Sequence, residues 1–502
     1  MIDQLLRLAG TQPGAPFVLF EDDSYSFQEM ADAACRGAAW LAAQGVQPGD
    51  HVVVAVSNRP LFLFYWFSLA ARGAVAVPIA HDSFGDPLRY TVQQSESKLV
   101  LTEGGEQARL QGELAATGVP VLAFASEAEF LAAAGAHALV VPEAPQAHTP
   151  MAILYTSGTT GQPKGAMIPA ASYRAIGEKI VQAIGITPAD RILTFLPLHH
   201  ANPQMYSVMS ALTVGCCIAL APRFSASKFL EQVRRYGATG FTYVGTVLSI
   251  LAKEITADAP TSLRFCVGGG APRAVWEELA ARLHVTIHEL YGMTETGGMV
   301  TINTREQYKL GSVGALRDDF DVVLMDDHDR ILTHGIGEIV VRPRQPYVMT
   351  SGYFNKPAET QAASSNFWFH TGDLGRFDEH GFLFFEGRKK ELIRRAGEMI
   401  SPVTIELAAL KHPAIADCAA VGVPDPILEE DIKLVVVKRS EVEPTDIVAF
   451  LRQALPRHMV PRYVQFAAEI PKTPTQKVKR FALAALPVPV HDTKQAAAAA
   501  AA

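Results

Sequence analysis

The sequence predicts an α/β protein: a large N-terminal domain of stacked α/β sheets with a small β-barrel-like subdomain, followed by a small α+β C-terminal domain. Three observations carry this reading. Strand-like apolar runs alternate with helix-like runs as far as about residue 310, the pattern of parallel strands joined by covering helices. Short alternating segments separated by Gly, Pro and Asp then take over at 311–385 and suggest a small antiparallel β unit. Beyond Arg388, helix and strand signals mix in a compact module of about 100 residues.

Taken in order, residues 17–21 read as a strand, and Ser26-Phe27-Gln28-Glu29 opens a helix that continues through the Ala-rich 30–43. A turn at 45–50 leads to a buried strand at 51–56, a helix at 61–72 and strands at 74–79 and 99–102, with a helical stretch at 87–95. The segment 105–143 carries weaker signals, and 142–150 reads as a linker. Strands follow at 191–196, 216–221, 241–244, 264–267 and 285–289, with a helix at 226–236. Several of these strands end in small residues, where open α/β sheets hold their ligands. In the C-terminal module, helices are expected at 403–411 and 445–455, and strands at 417–423, 433–438 and 463–466. The expected division is 1–387 for the large domain (311–385 its β subdomain), 388–390 for a hinge, 391–487 for the small domain and 488–502 for a tail that includes an alanine run.

Bulk properties narrow the function. A chain of 502 residues is too long for one simple core. A 49% apolar and 19% charged composition is that of a soluble globular enzyme. A net charge of −7 leaves no basic footprint, so nucleic acid is not an expected partner. Five cysteines with no CxxC pairing suggest buried thiols in a reducing compartment. No leader-like segment stands at the N-terminus. The most apolar run, at 61–71, is about half a membrane span, so a buried helix and no stable membrane association are expected. The expected location is cytoplasmic.

The chemistry centres on MAILYTSGTTGQPKGA at 151–166. An apolar strand gives way to a loop in which glycine frees backbone amides, Thr156, Ser157, Thr159 and Thr160 add hydroxyl donors, Gly158 adds flexibility and Lys164 adds charge. Such a nest suits a polyphosphate. It is not the common P-loop, because Lys164 precedes Gly165 rather than Ser or Thr. Gly268-Gly269-Gly270-Ala271-Pro272 reads either as a tight strand-to-helix turn or as a shelf for a flat purine. Tyr291-Gly292-Met293-Thr294-Glu295-Thr296 offers an aromatic, a hydroxyl and a carboxylate, enough for a base, an α-phosphate and Mg²⁺, which needs only one or two protein carboxylates. Asp373, in a turn after an aromatic segment, could accept both ribose hydroxyls. His199-His200 do not make a metal pair, since adjacent histidines diverge.

These motifs, in this order over residues 10–485, resemble those of the AMP-forming acyl-CoA synthetases, in the adenylate-forming superfamily of luciferases and peptide-synthetase adenylation domains. The resemblance implies ATP (bound through its AMP part), Mg²⁺ and coenzyme A as cofactors and a small carboxylic acid as substrate. It implies that Tyr291, Gly269, Gly270 and Ala271 hold adenine, that Thr294 and Glu295 serve phosphate and magnesium, and that Asp373 and Arg388 bind ribose or phosphate. It further implies that Lys477 is the catalytic lysine, that the C-terminal domain is mobile about Lys390, and that Gly397 lines the thiol channel after rotation. The loop 196–204 matches the acyl-pocket loop, with His200 gating its carboxylate end.

Gln204, Tyr243, Gly245, Gly268, Met293, Gly297 and Met299 complete the expected substrate pocket. The glycines (with Gly269) are expected to make it roomy, and an apolar monocarboxylic acid is favoured. Gln476 stands where relatives carry Gly before the lysine, and Thr404 where many carry Glu. Alternatives are an enzyme of one half-reaction, one that loads a carrier protein in trans, or a non-catalytic nucleotide-binding protein. A homodimer is left open.

Overall fold

The structure, a computed structural model, describes residues 1–156, 162–395, 398–472, 478–484 and 490–493. Contacts divide the chain into two compact units. The first comprises Met1–Val322, Val341–Phe369 and Glu379–Leu383; the second comprises Val323–Val340, His370–Asp378 and Phe384–Ala502.

Two sheets form the frame of the first unit. One has six strands, in the order Val121–Phe124, Leu99–Glu103, His51–Ala55, Val75–Pro78, Pro150–Thr156, Lys164–Pro169. The other has nine, with the parallel run Thr286–Met293, Phe265–Gly269, Gly240–Val244, Arg191–Thr194, Cys217–Leu220, Pro16–Phe20 at its centre. Their strands are apolar on both faces because both faces are covered. Alternate residues go to different cores: Val52, Val54, Leu99 and Leu101 join Ile192, Ile218 and Leu220 in one shared cluster. Val53, Ala55 and Val100 face an outer cluster, while Leu193, Ala219, Phe241 and Cys266 face another.

The helix Pro60–Arg72 sits in the shared cluster with every residue from Pro60 to Ala71 buried. A helix apolar on all sides needs neighbours on all sides. Proline at its first turn and Gly73 in the left-handed conformation (φ 73°) fix its ends. Helix Phe27–Ala43 beside it begins as the sequence indicates: the Ser26 hydroxyl accepts from the Glu29 amide at 3.2 Å, and Glu29 accepts from the Ser26 amide at 2.7 Å.

Three departures from the sequence reading have local causes. The weak stretch 105–143 contains the helices Gln107–Leu114 and Glu127–Gly135 around the strand Val121–Phe124. The phosphate-loop segment becomes a strand again at Lys164, because Thr156 pairs with Lys164 and Tyr155 with Gly165. A Cβ on Gly165 would lie 2.5 Å from Ile153 Cγ2, so this glycine serves close packing rather than a turn. The strand expected to end at Glu289 continues to Met293, held by antiparallel pairing of Tyr291 with Thr301.

A five-stranded sheet, most of whose residues belong to the second unit, orders Ile331–Leu332, Phe320–Met325, Gly337–Pro343, Phe369–Phe377 and Leu383–Arg388; the second unit also holds the C-terminal sheet. A six-stranded sheet is built on the hairpin Ile415–Asp425 with Glu429–Lys438, packed by the helices Pro402–Ala409 and Pro444–Ala454. All five cysteines are buried free thiols. Among the described residues no helix is long and apolar enough to cross a membrane.

Candidate active site

Segment 350–354 aligns along the strand Lys164–Pro169 through the Met167 amide to Gly352 (3.0 Å), the Ser351 amide to Met167 (3.0 Å) and the Phe354 amide to Gly165 (2.8 Å). This pairing delivers Tyr353 to Glu295. The Tyr353 hydroxyl donates to Glu295 Oε1 at 3.0 Å, and the Thr156 hydroxyl donates to the same oxygen at 3.0 Å. Lys164 Nζ stands 5.1 Å from the centre of the Tyr353 ring. Burial, then the Glu295 charge, pushes the Tyr353 phenol well above its ordinary value, so it stays a donor. Among the described residues Glu295 Oε2 accepts no hydrogen bond, leaving the lone pairs an oxygen-seeking cation requires. Thr156, Lys164 and Glu295 are thus brought together as the sequence indicates; Tyr353 is an addition whose only signal was one tyrosine in a turn.

The turn after strand Phe265–Gly269 is held from below. Gly270 has φ 91°, and its amide donates to Glu289 Oε1 at 2.5 Å; the Ala271 amide donates to Glu289 Oε2 at 3.0 Å. The Tyr243 hydroxyl donates to Oε2 at 2.6 Å. Burial pushes the Glu289 carboxyl up to about 7 against the downward pull of these three donors. Sequence reasoning passed over Glu289, which stands two residues ahead of the recognisable motif. Tyr291 is buried, Thr294 is half-buried, and the Thr296 hydroxyl closes the motif's turn by donating to Gly298 O at 2.6 Å.

The glycines expected to make the acyl pocket roomy are closely packed instead. A Cβ on Gly245 would lie 1.8 Å from Gly270 O, on Gly268 2.1 Å from Tyr243 O, on Gly269 3.0 Å from Leu290 O, and on Gly297 2.2 Å from Ser172 Oγ. Gly245, Gly268 and Gly269 admit neighbouring backbone and Gly297 admits the Ser172 side chain; none of the four faces open space. Gln204, Tyr243 and Met299 are fully buried. Gln204 has its amide committed, accepting from Tyr173 Oη at 2.5 Å and donating to Leu198 O at 2.7 Å, within the π-helical turn Pro203–Val208. His199, His200, Val244, Gly245, Gly269, Met293 and Thr294 are partly exposed. The two imidazoles lie 4.1 Å apart, and burial, then His200 and His81, hold His199 well below its ordinary value and hence neutral.

In the second unit, Arg388 Nε lies 3.5 Å from Asp373 Oδ1. Glu338, almost buried, organises the turn: it accepts from the Gly372 amide at 3.0 Å and from Lys389 Nζ at 3.1 Å, and His370 Nδ1 lies 3.4 Å away. Lys390 is exposed in the short turn Lys389–Glu391. Farther along, Arg395, Arg452, Arg457 and Arg462 line a cavity of about 410 Å³. Arg395 pairs with Asp431 (2.8 Å) and Arg462 with Asp425 and Asp492 (2.9 Å each), whereas Arg452 and Arg457 have no ion pair among the described residues. Ser157, Gly158, Thr159, Thr160, Gly397, Gln476 and Lys477 lie outside the described residues.

Residues 5–354 match the family model of the AMP-binding enzymes, and residues 404–477 match that of the AMP-binding enzyme C-terminal domain. The chain is 33% identical over 489 residues to sulfoacetate–CoA ligase of Cupriavidus necator, covering 95% of each. It is similar to the solved structure of o-succinylbenzoate CoA synthetase from Bacillus subtilis in complex with its acyl-adenylate intermediate, with a TM-score of 0.87 and 26% identity over 97% of this chain and 98% of that one. The same enzyme in complex with ATP and a magnesium ion superimposes with a TM-score of 0.85 at 26% identity, covering 95% and 98%.

Proposed function

We propose, from the premise that this chain belongs to the AMP-binding enzyme family and is an AMP-forming acid–CoA ligase, that the acid it activates is short. The ligase reaction has two steps. A carboxylate oxygen attacks the α-phosphorus of ATP, the bond to pyrophosphate breaks, and an acyl-adenylate forms. The sulfur of coenzyme A then attacks the acyl carbon, loses its proton, and AMP leaves.

The protein's work is positioning and charge compensation. Thr156 and Lys164 face the leaving phosphates in this reading. The donor set at Glu295 fits Mg²⁺: Oε1 is fixed by two hydroxyls, and Oε2 is the oxygen that would take the cation. When bound, Mg²⁺ neutralises phosphate charge. Asp373 and Arg388 hold the ribose, and Lys477 meets the charge that develops between carboxylate and phosphate. Arg452 and Arg457, without an ion pair among the described residues, supply positive charge for the phosphates of coenzyme A. Lys390 is the pivot about which the C-terminal domain alternates between the two steps.

The close packing at the expected acyl site carries the proposal on length. With Gln204, Tyr243 and Met299 fully buried, Gly245 and Gly268 closed by backbone and Gly297 by Ser172, little room is left among these residues for an acyl chain. Forcing a methylene into a filled site costs on the order of 1–3 kcal/mol. The relative that acts on sulfoacetate takes a two-carbon acid, in keeping with this. The test is kcat/KM for pyrophosphate exchange across linear acids. Acids of about two to four carbons should exceed octanoate by at least ~100-fold, and Met299→Ala should narrow the gap. A preference for octanoate in the unmodified enzyme would refute the short-acid reading.

A further inference from the structure

Tyr243, Gly268 and Glu289 stand in register on three adjacent parallel strands: Tyr243 pairs with Gly268, and Gly268 with Glu289. Register partners on parallel strands project from the same face. The middle position has no side chain, and across that gap the Tyr243 phenol reaches the Glu289 carboxyl at 2.6 Å. A Cβ at Gly268 would come within 3.0 Å of the Tyr243 ring and 2.1 Å of its carbonyl oxygen. Beyond the strand the chain doubles back at Gly270 and presents two amides to the same carboxyl. One buried group therefore ties Tyr243, a residue expected at the acid site, to the turn expected to carry the purine.

We propose that Glu289 is a positioning residue of the adenylation step, whose ionised carboxylate fixes the Gly270–Ala271 turn and Tyr243 together and so couples nucleotide binding to the acid site. The proposal rests on the ligase reading and is independent of the length of the acid.

Chemistry gives the coupling a protonation dependence. All three partners are donors, and a carboxylate accepts from all three. A protonated carboxyl adds a fourth hydrogen to a site made of hydrogens. Of the three partners only the phenol can turn to accept, so protonation reverses Tyr243 and weakens an amide contact. Among the described residues, the titratable groups that act on this site are Tyr243 itself, Cys266 from the neighbouring strand and Tyr308. Burial raises all three, so each is neutral at pH 7 and none competes for the charge. The carboxyl, itself pushed up to about 7, changes form in the working range.

The experiment compares wild type, Glu289→Gln and Tyr243→Phe in acid-dependent pyrophosphate exchange between about pH 6 and pH 8.5. Phosphates of the nucleotide titrate in the same range, so the informative quantity is the ratio of wild type to variant. For Glu289→Gln that ratio in kcat/KM for ATP should grow roughly tenfold from pH 6 to pH 8, as the carboxylate forms. KM for coenzyme A, measured with ready-made acyl-AMP, should stay within about twofold. A ratio that is flat with pH, or an equal rise in both KM values, overturns the proposal. If Glu289→Gln fails to fold by thermal scan, Tyr243→Phe decides: losing one donor should move the wild-type limb to higher pH, and an unmoved limb overturns the proposal. Absence of exchange with every acid would refute the ligase reading instead; calorimetric AMP binding over the same pH range would then decide, with a wild-type limb missing in Glu289→Gln expected and a shared limb fatal.

Discussion

Tyr353 and Thr156 pin one oxygen of Glu295 and leave the other without a hydrogen bond among the described residues. Replacing Tyr353 by Phe removes a hydrogen bond to a charged group, worth about 1.5–3 kcal/mol. KM for Mg-ATP should rise, or exchange should fall, by roughly 10–100-fold, with unchanged thioester formation from ready-made acyl-AMP; an effect on both steps would mean a general packing defect. Glu289 also makes a stability prediction. Its folded value lies above its ordinary 4.5, so folding favours the protonated form. That contribution is full below about pH 4.5 and is lost as pH rises through about 7, a span worth on the order of 3 kcal/mol. Denaturant midpoints of Glu289→Gln relative to wild type should therefore rise between pH 5 and pH 8. Glu295 was legible because it sits inside a dense motif. Tyr353 and Glu289 were not, since each acquires its meaning from partners that only the folded chain brings near.

Helix Pro60–Arg72 contributes stability out of proportion to its length, with Phe62, Phe64, Trp66 and Phe67 almost wholly removed from water. Trp66→Ala should cost about 3–5 kcal/mol, seen as an earlier urea midpoint with little change in slope. Such a helix was readable from one uninterrupted apolar run. The helix Ala170–Ile184 escaped notice although Tyr173, Ile176, Ile180 and Ile184 are spaced for it, because Pro169 precedes it and no side chain caps its start. Strands pairing in parallel declared themselves by doubly apolar runs, whereas Lys164–Pro169 needed its antiparallel neighbour to become a strand. In the C-terminal module the helix Pro444–Ala454 and the turn Arg457–Met459 set on one cavity two arginines that have no ion pair among the described residues. Arg452→Glu with Arg457→Glu should raise KM for coenzyme A about tenfold or more and leave pyrophosphate exchange untouched; a normal KM would remove that surface from the coenzyme's path.

Two steps in one chain make separable defects the signature of the whole enzyme. Lys477→Ala should depress pyrophosphate exchange by ~10²–10³ while thioester formation from ready-made acyl-AMP persists. Parallel loss of both would argue against assigning the lysine to the first step. The overall architecture was legible from the alternation of strands and helices. The close packing at Gly245 and Gly268 was not, because a glycine in sequence does not say whether ligand or backbone occupies the place of its missing side chain. The apolar helix has a last consequence, for biosynthesis. Trp66 packs its ring 5.6 Å from that of Tyr173, a residue translated about a hundred positions later. At roughly 5–20 residues per second, the helix emerges from the ribosome some 5–20 s before its partner exists. Through that interval the nascent chain carries an uncovered aromatic segment, a binding target for a holdase. Chains released early, before the strand Cys217–Leu220 is made, should aggregate in the cell, and full-length yield should depend on chaperone supply more steeply than on final stability.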